Sequence, residues 1–562
     1  MTNFPSDCAV LLVGGGPCGL MLANELGRRG IRTVLVDEKP GTAFNPQANA
    51  TQARTMEHYR RLGFADEVRA QGLPPDYPTD IAYFTRYAKY ELARFQQPSP
   101  RRATEDIKNL SGSWSAAELP HRVSQKFVEV ILRRHAEQLP SVSLYFGWRL
   151  TGFVDAGDHV DGEVERVQDG AKTQIRASYL VGGDGPHSFV RQQLGFNYAG
   201  EAQASRDFMG GRMFAIYLRA PEFYRMVPHE KAWMYVTFNA DRRAYMAAVD
   251  GKREFAFHTQ LRTGEDPDRI TSAGAKAMFE QGVGAPIDAE ILSCCTWIAG
   301  RTLVAERFQK GRVFLGGDAA HLFTPAGGLG YNTAIDDAVN LGWKLASVIR
   351  GCAGPGLLES YEAERQPVAR RNTSYARKFA DSLGLFAADP ALEDDTPEGA
   401  ATRQRAGEYF GRHAREEFNI PGVTFGGRYD GSPVIVSDGT LPPPDAPNVY
   451  VPTACPGGRA PHLWLPDGRS LFDTFGFEWT LLRLDRRAPG TEAWQCAASE
   501  LGVDLTIVEL NSQEARDLYA ADLALVRPDQ VVAWRGHGRD TNPVTILAHV
   551  TGRQSRHERT SC

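Results

Sequence analysis

The sequence lacks long apolar runs, long runs of like charge and a basic N-terminal segment. Nowhere in its 562 residues is there an apolar stretch of roughly 18 residues, the length that a membrane-spanning helix needs, so we expect no integral membrane segment. The net charge is −5 and no long acidic or basic run occurs, which argues against nucleic acid as a partner. The first residues lead directly into an apolar strand, so we expect no signal peptide.

Cysteines are few, and their spacing suggests neither metal binding nor disulfides. The eight cysteines are scattered, without a CxxC motif or a Cys/His cluster. We therefore expect no metal site, and reduced thiols in a cytoplasmic protein. The rest of the composition, with 42% hydrophobic and 23% charged residues, is typical of a globular protein, and the length fits several domains.

A glycine-rich turn near the N-terminus predicts a dinucleotide-binding site. An apolar strand at 9–13 is followed by Gly-Gly-Gly-Pro-Cys-Gly at 14–19, a helix, and a second strand that ends in Asp37. In this pattern the first glycine permits a tight turn, the second lets a pyrophosphate approach the backbone, and the third lets helix and strand pack closely. Asp37, roughly 20 residues further on, would accept a hydrogen bond from a ribose hydroxyl. Alone, the motif does not distinguish NAD from FAD.

Two further glycine-acid segments follow apolar strands. Gly-Gly-Asp-Gly at 182–185, within "GGDGPHSFVR", predicts by itself only a turn. The other starts with a strand at 312–315, passes through Gly-Gly-Asp at 316–318 and a glycine-rich turn at 325–330, and leads into a helix. The start of such a helix directs unpaired N–H groups, equivalent to roughly +0.5 charge, at whatever lies in front of it. This segment predicts a site for a polyhydroxylated molecule that accepts electrons.

Together, the three segments resemble the three fingerprints of the single-component flavoprotein aromatic hydroxylases. The resemblance is to the branch that contains phenol hydroxylases and (hydroxyphenyl)propionate hydroxylases. It extends over essentially the whole chain and includes "GGRAPHLWLPDGRSLFDTFG" at 457–476. It implies an α/β fold in which a Rossmann-like FAD-binding domain is interleaved with an antiparallel-sheet substrate domain, followed by a C-terminal thioredoxin-like α/β domain. It also implies bound FAD, with NADH or NADPH as co-substrate.

The resemblance further implies which residues bind FAD. The glycine turn would hold the pyrophosphate and Asp37 the adenosine ribose. Asp184 would assist both FAD and the nicotinamide nucleotide, and Asp318 would bind the ribityl chain. The complete set comprises Gly14, Gly15, Gly16, Pro17, Cys18, Gly19, Asp37, Glu38, Lys39, Gln47, Gln125, Asp184, Asp318, Gly328, Leu329, Gly330, Tyr331 and Asn332.

Three positions bear on details of cofactor binding. Gln47 stands where family members commonly carry Arg, so it can hydrogen-bond to the FAD phosphates but supplies no charge. Tyr331 stands where Met or Leu is frequent, and its ring could stack on the flavin or donate a hydrogen bond. Glu38, next to Asp37, would repel a 2′-phosphate, although Lys39 offsets it, so we hypothesise that NADH is accepted at least as well as NADPH.

The region between the second and third segments predicts the substrate pocket. A hairpin at 233–238 and 244–249 places Val236 and Phe238 where benzoate-hydroxylating relatives carry a carboxylate clamp of Ser and Arg. This favours an apolar or neutral phenolic substrate. A shifted register would change the assignment, and Arg212, Arg219 or His258 could bind an acid instead. We identify no base; the pocket candidates are Tyr217, Tyr235, Val236, Phe238, Tyr245 and Pro325.

The domain boundaries follow from composition and pattern. Pro367 predicts a break in a helical region, and Pro, Gly and Asp enrichment at 431–447 predicts a linker. The C-terminal strands and helices carry no CxxC, so a redox role is not expected there. The predicted units are 1–190 with 300–365 (FAD-binding), 191–299 (substrate-binding β-sheet), 366–430 (helical), 431–447 (linker), 448–552 (thioredoxin-like) and 553–562 (tail).

The predicted function is hydroxylation of a phenolic or polycyclic aromatic substrate with NAD(P)H and O2, through the flavin C4a-hydroperoxide that the resemblance implies. The alternative is a flavin-dependent oxidase or reductase that acts on a quinone or phenol without oxygen insertion. A halogenase is disfavoured because the sequence has no WxWxIP segment, and nothing favours a flavin-bound sensor. The expected partners are a small aromatic substrate, O2 and NAD(P)H, with a possible homo-oligomer.

Overall fold

The computed structural model describes residues 4–201, 211–538 and 541–553, so 202–210 of the expected substrate domain and 554–562 of the expected tail lie outside the described residues. The helices are α1 Pro17–Arg28, α2 Ala53–Arg61, α3 Ala65–Arg69, α4 Pro100–Asp106, α5 Gln125–Glu137, α6 Phe189–Gln193, α7 Phe223–Met226, α8 Ser272–Val283, α9 Leu329–Ile349, α10 Gly356–Gly384, α11 Pro397–Phe418, α12 Pro421–Phe425, α13 Glu492–Glu500, α14 Gln513–Tyr519 and α15 Pro543–Val550.

The strands are β1 Asp7–Val13, β2 Thr33–Asp37, β3 Ile81–Phe84, β4 Glu91–Phe95, β5 Val142–Phe146, β6 Trp148–Asp155, β7 Val160–Arg166, β8 Lys172–Gly182, β9 Tyr198–Glu201, β10 Gly211–Arg219, β11 Met234–Phe238, β12 Arg243–Ala248, β13 Glu254–Gln260, β14 Glu290–Ala299, β15 Thr302–Ala305, β16 Gln309–Lys310, β17 Val313–Leu315, β18 His321–Leu322, β19 Trp479–Arg483, β20 Leu505–Glu509, β21 Leu523–Val526 and β22 Val532–Gly536.

The first sheet is built around parallel strands in the order β17-β8-β1-β2-β5. β1 and β2 are almost entirely buried, as near-continuous apolar strands covered by helices on both faces should be. Helix α1 packs against α9 and α5, and their apolar faces form the core of this unit. This arrangement confirms the predicted Rossmann-like architecture.

The second sheet has seven strands in the order β14-β10-β13-β12-β11-β3-β4. The predicted hairpin is confirmed as β11 and β12, which pair antiparallel with Val236 opposite Tyr245. Strands β3 and β4 come from the first 100 residues, yet they extend this sheet beside β11. The range 1–190 therefore contributes to both sheets, and the predicted boundary at 190 does not separate them.

Helix α10 runs through Pro367 without a break, contrary to the prediction. Proline removes one helical hydrogen bond, but buried side chains on both sides of it, including Arg365 and Val368, hold the helix by tertiary packing. The predicted boundary between 365 and 366 accordingly falls inside one continuous helix.

The C-terminal sheet has the order β20-β19-β21-β22, with β19 and β20 parallel and the other pairs antiparallel. Helix α13 connects β19 to β20 and packs against α15. This βαβ unit is followed by α14, by the hairpin of β21 and β22, and by α15, which fits the predicted thioredoxin-like arrangement. Residues 431–447, the predicted linker, contain only turns and irregular backbone.

Buried ion pairs dock the C-terminal unit onto the first. Glu364 of α10 accepts hydrogen bonds from Arg527, at 2.7 Å and 2.9 Å, and from Lys344 of α9 at 2.6 Å. All three side chains have 0% exposure. A second contact joins α2 to the same unit, where Glu57 accepts from Arg459 Nε at 2.9 Å. Paired buried charges of this kind fix one relative orientation of two units.

We expect Glu57 to contribute to the acid sensitivity of the fold. Burial raises the pKa of its carboxyl, but Arg459 and Arg54 outweigh burial and lower it to about 2. Because the pKa is depressed in the folded state, the stabilisation is present above the unfolded pKa of roughly 4.3 and is lost as pH falls towards about 2.

At neutral pH, the thermal midpoint of unfolding of Glu57→Gln should be lower than that of the wild type. As the pH falls through this window, the midpoint of the variant should decrease less steeply. Glu137→Gln, which changes an exposed glutamate of α5, should retain the wild-type slope. Equal slopes in Glu57→Gln and the wild type would show that Glu57 does not titrate in this way.

Two features do not occur in the described ranges. No helix there is long and apolar enough to cross a membrane. No group of three or more His, Cys, Asp or Glu residues in the same ranges could hold a metal ion.

Candidate functional site

The three glycine-acid segments meet at one edge of the first sheet. In β1, β8 and β17, the last residues Val13, Gly182 and Leu315 lie side by side in a single row. Because the strands are parallel, the loops that follow them leave the sheet at the same edge. That edge, outside the carboxyl ends of the strands, is where open α/β folds bind their ligands.

The glycines of the first segment have different steric surroundings. Gly14 has φ of +109°, and a Cβ there would lie 2.2 Å from the carbonyl oxygen of Gly183. A Cβ on Gly19 would lie 1.9 Å from the Gly14 carbonyl oxygen, so both glycines are needed for the fold itself. Around Gly16, the N-cap of α1, no described atom outside residues 15–17 lies within 4 Å of such a Cβ, and no described side chain caps the helix. Gly16 thus leaves open the space that a pyrophosphate would enter.

The other members of this segment shape it from within. A Cβ on Gly15 would lie 2.8 Å from the ring of Phe146, and Pro17 begins α1, where its missing N–H has no cost. Cys18 is buried against the backbone at 316–317, and burial raises the pKa of its thiol well above the ordinary value. Cys18 therefore joins the first and third segments by packing and presents no reactive thiolate.

Asp37 lies at the end of β2, beside the glycine turn. Its Oδ2 accepts a hydrogen bond from Gly15 N at 2.6 Å, and its Oδ1 accepts one from Lys39 N at 2.7 Å. In a Rossmann-type fold this acid serves the same dinucleotide as the glycine turn. The exposed neighbours Glu38 and Lys39 therefore lie beside the cofactor that the glycine turn binds. Their position gives no support to the hypothesis that Glu38 makes NADH as acceptable as NADPH.

Asp184 and Asp318 place two carboxyl groups at the same edge. Asp184 accepts hydrogen bonds from Ser188 Oγ at 2.5 Å and from Val190 N at 3.1 Å, which fix its orientation. Asp318 is exposed. The protein around each of them nevertheless raises the pKa of the carboxyl by desolvation. A carboxyl that is accessible but closely surrounded by protein is well placed to accept a hydrogen bond from a ligand hydroxyl.

A buried carboxylate on α9 holds the turn that carries Asp318. Asp337 Oδ2 accepts hydrogen bonds from Gly317 N at 3.1 Å and from His321 Nε2 at 2.6 Å. Its Oδ1 accepts from Arg365 Nε at 2.8 Å. Burial opposes ionisation, but His321 and Arg365 outweigh it and hold the pKa of Asp337 below its usual range. Asp337 is thus a positioning residue, one that sequence inspection treats only as part of a helix.

The glycine turn before α9 is braced by polar side chains. Gly327 and Gly328 have φ of +67° and +65°, in the region that favours glycine. Asn332 Oδ1 accepts from Gln52 N at 2.8 Å, and its Nδ2 donates to the Gly328 carbonyl at 2.6 Å. Glu417 of α11 accepts from Gly327 N at 2.9 Å. No described side chain caps α9 itself, so its first N–H groups stay available to a ligand.

Tyr331, in the first turn of α9, is held by its hydroxyl group. That hydroxyl is hydrogen-bonded to the hydroxyl of Tyr59 on α2, and the ring is half-buried against the core of the first unit. Burial raises the pKa of both phenols, so neither ionises near neutral pH. Tyr331 therefore braces α9 against α2, and only part of its ring is left to contact a ligand.

The two candidate glutamines lie on the opposite flank. Gln47 is exposed in the segment 43–50. Gln125 begins α5: its main-chain N donates to the Ala48 carbonyl at 2.7 Å, and its side chain donates to Glu129 Oε1 at 2.6 Å. Glu129 Oε2 in turn accepts from Ala43 N at 2.7 Å. Gln125 and Glu129 thus fix the segment 43–50 against α5.

One face of the second sheet turns towards this segment. Ser293 Oγ donates to Asn45 Oδ1 at 2.5 Å, and the ring centroids of Tyr217 and Phe44 are 5.7 Å apart. We call this face the cleft face. Strand register places on it Tyr217, Val236, Phe238, Tyr245, His258, Ser293 and Trp297.

Tyr235 lies on the other face, which removes it from the predicted pocket. Successive side chains of a strand point to opposite faces, so Tyr235 cannot share a pocket with Val236. Its hydroxyl accepts from Ala232 N at 2.8 Å, and its ring packs 5.2 Å from that of Phe223 with 1% exposure. Tyr235 is a core residue.

The remaining candidates differ in what they can contact. The Tyr217 hydroxyl bonds to Lys126 and Glu254, and burial together with Glu254 raises the pKa of the phenol. Phe238 is fully buried and stacks on Phe410 of α11 at 4.9 Å, and Val236 is 2% exposed. Tyr245 is half-buried and Pro325 is exposed in the turn before α9, so these two retain accessible surface.

Sequence inspection missed Glu417, which connects the glycine turn to the cleft face. Besides accepting a hydrogen bond from Gly327 N, the Glu417 carboxylate lies 2.9 Å from His413 Nε2. Burial raises the pKa of the Tyr245 phenol, and the carboxylate of Glu417 raises it further. It lies 90 positions from Gly327 in a helix without a motif, so no local pattern could have indicated it.

The observed arrangement fits FAD. Two helix N-termini without side-chain caps, those of α1 and α9, flank one sheet edge. The space in front of Gly16 is open, and the side chain of Asp318, which lies between β17 and α9 in the chain, is exposed. A long anionic dinucleotide with a polyhydroxylated chain meets donors at its phosphates and acceptors at its hydroxyls in such a site.

Two family profiles match the chain. Residues 7–376 match the FAD binding domain family, and residues 453–553 match the C-terminal domain of aromatic-ring hydroxylases. The first match contains all three glycine-acid segments and the second sheet. The second match covers the thioredoxin-like unit.

Curated and solved proteins are similar over nearly their full length. The FAD-dependent monooxygenase apdD of Emericella nidulans is 30% identical, covering 99% of this chain and 92% of its own. The phenol 2-monooxygenase of a Pseudomonas species is also 30% identical, with 97% and 92% covered. The K252c-bound structure of RebC-10x has a TM-score of 0.88 at 31% identity, and covers 98% of this chain and 100% of its own.

Proposed function

Because the chain belongs to the FAD-dependent aromatic-ring hydroxylases, we propose that it adds one oxygen atom of O2 to an uncharged phenolic or polycyclic aromatic substrate, with NAD(P)H as reductant. The observation that carries the proposal is the row of Val13, Gly182 and Leu315, which gathers three cofactor-binding segments at one edge opposite a half-buried aromatic face.

Three groups of residues would hold FAD. The open backbone at Gly16 and the start of α1 would receive the pyrophosphate, and Asp37 the adenosine ribose. Asp318, fixed through Asp337, would accept from the ribityl chain. The first N–H groups of α9, from Leu329 onward, would face the electron-accepting ring, where roughly half a positive charge stabilises added negative charge.

Bound FAD supplies hydride acceptance from NAD(P)H and activation of O2. The protein would orient the ring system and limit the access of water to it. Cys18, whose buried thiol stays protonated, presents no competing thiolate. The cleft face presents mainly aromatic and aliphatic side chains, which would limit the access of water to the reacting atoms of a bound cofactor.

Two of the three residues that could alternatively bind an acid are not available as cations, which favours an uncharged substrate. Arg219 pairs with Glu290 at 2.6 Å and with Glu254 at 3.3 Å, so its charge is already balanced. Burial lowers the pKa of His258 to about 4, so it is neutral near pH 7. Neither residue can therefore serve as a cationic clamp for a carboxylate. Of the three residues that could bind an acidic substrate, only the exposed Arg212 remains.

Steady-state assays of the FAD-loaded protein test the proposal. We expect phenols, naphthols or larger polyphenols, but not benzoates, to accelerate NAD(P)H oxidation and to yield hydroxylated products detectable by mass spectrometry. A flavin oxidase or reductase would instead oxidise NAD(P)H with H2O2 as its only oxygen product and with no dependence on the phenol. A preference for benzoates would contradict the assignment of an uncharged substrate.

A further inference from the structure

His258 occupies the centre of the accessible part of the cleft face. Register places it between Tyr245 on one side and Ala215 on the other, with Cys295 next in the same row. His258 itself is 7% exposed, Tyr245 and Ala215 are half-buried, and Cys295 is exposed. His258 is therefore the polar group most deeply set in a row that opens towards solvent at Cys295.

Two aromatic neighbours fix the His258 ring. Its plane stacks on that of Tyr245, with centroids 4.7 Å apart and an interplanar angle of 5°. Trp297 Nε1 donates a hydrogen bond to His258 Nδ1 at 3.3 Å. The indole nitrogen is a donor only, so Nδ1 must be the acceptor, and the proton of the neutral imidazole lies on Nε2. The tautomer thus follows from the contact.

The Nε2–H group is a donor without a described acceptor. Among residues 4–201, 211–538 and 541–553, none forms a hydrogen bond with His258 Nε2. A donor set in an apolar aromatic surface gains most from a ligand acceptor, because little water competes for it. Since the ring is neutral, the matching ligand atom is a carbonyl or a delocalised phenolate oxygen, and a localised carboxylate is a poorer match.

Resting on the hydroxylase function proposed above, we propose that His258 binds an oxygen atom of the aromatic substrate, donating from Nε2 to the carbonyl or phenolate oxygen of a flat hydroxyquinone or hydroxyaryl ketone. This contact sets which edge of the ring system is presented for hydroxylation. Trp297 acts through His258 and is a positioning residue. The substrate class is thereby narrowed from any phenol to polycyclic compounds that carry an oxygen acceptor conjugated with the ring.

Binding of alizarin to the FAD-loaded full-length protein tests this inference. Alizarin is a dihydroxyanthraquinone whose visible colour reports the ionisation of its phenol. Burial against the aromatic face raises the pKa of the bound phenol and a neutral donor lowers it, so the effect of the donor is read by comparison with His258→Leu. The colour transition of alizarin bound to the wild type should lie about one pH unit below that of alizarin bound to His258→Leu, and the variant should bind the dye about tenfold more weakly.

Matched variants separate this role from a structural one. His258→Asn keeps a neutral donor and should restore part of the affinity and of the colour shift. Trp297→Phe releases Nδ1, so the proton can move away from Nε2 and part of the shift should be lost. Cys294→Ser, whose side chain lies on the opposite face of β14, should behave as the wild type. FAD content is measured in every variant.

The outcomes distinguish this inference from the function on which it rests. If alizarin does not bind to the wild type, or binds His258→Leu with wild-type affinity and colour shift, the assignment of His258 is wrong. If the variants behave as expected but no phenol is hydroxylated, the hydroxylase function fails while the binding role of His258 stands.

Discussion

Replacing Gly16 with valine is expected to abolish FAD binding while the protein still folds. The backbone at Gly16 has φ of −77° and ψ of −173°, which any residue can adopt. No described atom outside residues 15–17 lies within 4 Å of a Cβ there, so the protein without cofactor accommodates the side chain. A pyrophosphate must approach this backbone closely, and the valine would occupy its place. We expect the affinity for FAD to fall by at least about a hundredfold, roughly the loss of two well-placed hydrogen bonds to a charged group.

A flavin titration of the apoprotein measures this change. Gly152→Val is the matched control, because Gly152 in β6 also has open space around its Cβ and lies away from the three segments. The apoproteins of both variants should melt with the wild type, and only Gly152→Val should gain thermal stability when FAD is added. Stoichiometric FAD binding by Gly16→Val would show that the cofactor lies elsewhere.

Replacing Glu364 with glutamine is expected to loosen the C-terminal unit. Besides Arg527 and Lys344, Glu364 accepts hydrogen bonds from Ser432 Oγ at 2.7 Å and Asn340 Nδ2 at 2.7 Å. Burial raises the pKa of its carboxyl, but Arg527 and Lys344 outweigh burial and hold the pKa below the usual range. Neutralising it leaves two buried cations with only part of their compensation, and removing one partner of a buried pair costs about 3 kcal/mol or more.

Segment-resolved hydrogen exchange measures this loosening. A loss of about 3 kcal/mol corresponds to roughly hundredfold faster exchange where local opening controls it, and we expect this in β21, β22 and the turn between them. Glu362→Gln, two residues before Glu364 on the other side of the same helix and paired with the exposed Arg307, should change exchange by less than about tenfold. Equal effects of the two variants would mean that the buried network does not dock the unit.

The cofactor site was predictable because its determinants are local. A strand, a glycine turn and an acid lie within about 20 residues, and each of Asp37, Asp184 and Asp318 is the last residue of its strand or lies within three residues of the strand's end. That three strands place these turns in one row is a property of a parallel sheet and follows once the fold is known. The predicted fold class and FAD dependence are accordingly confirmed.

The substrate face was harder to predict because β11 is buried on both faces. Four of its five residues are buried, so alternation along the strand gives no direction. Tyr235 and Val236 were equally good candidates until the contacts of β11 with its neighbours were known. The role proposed for His258 likewise depends on Trp297, two strands away in the sheet, and no short motif records that contact.

The docking network was not predictable for a related reason. Arg527 and Glu364 are 163 positions apart, and each is an ordinary charged residue in its own segment. Only the packing of the thioredoxin-like unit against α9 and α10 brings them together. Long-range ion pairs of this kind are therefore absent from any local pattern, whereas caps, turns and glycine positions are present in it.

Turnover with isotope-labelled O2 tests the central claim most directly. The FAD-loaded protein, NAD(P)H and an accepted phenol or hydroxyquinone are incubated with the labelled gas, and the product is analysed by mass spectrometry. The account predicts one labelled oxygen atom in each product molecule, with one NAD(P)H oxidised for it. Unaltered substrate together with labelled H2O2, or a product whose new oxygen comes from water, would contradict it.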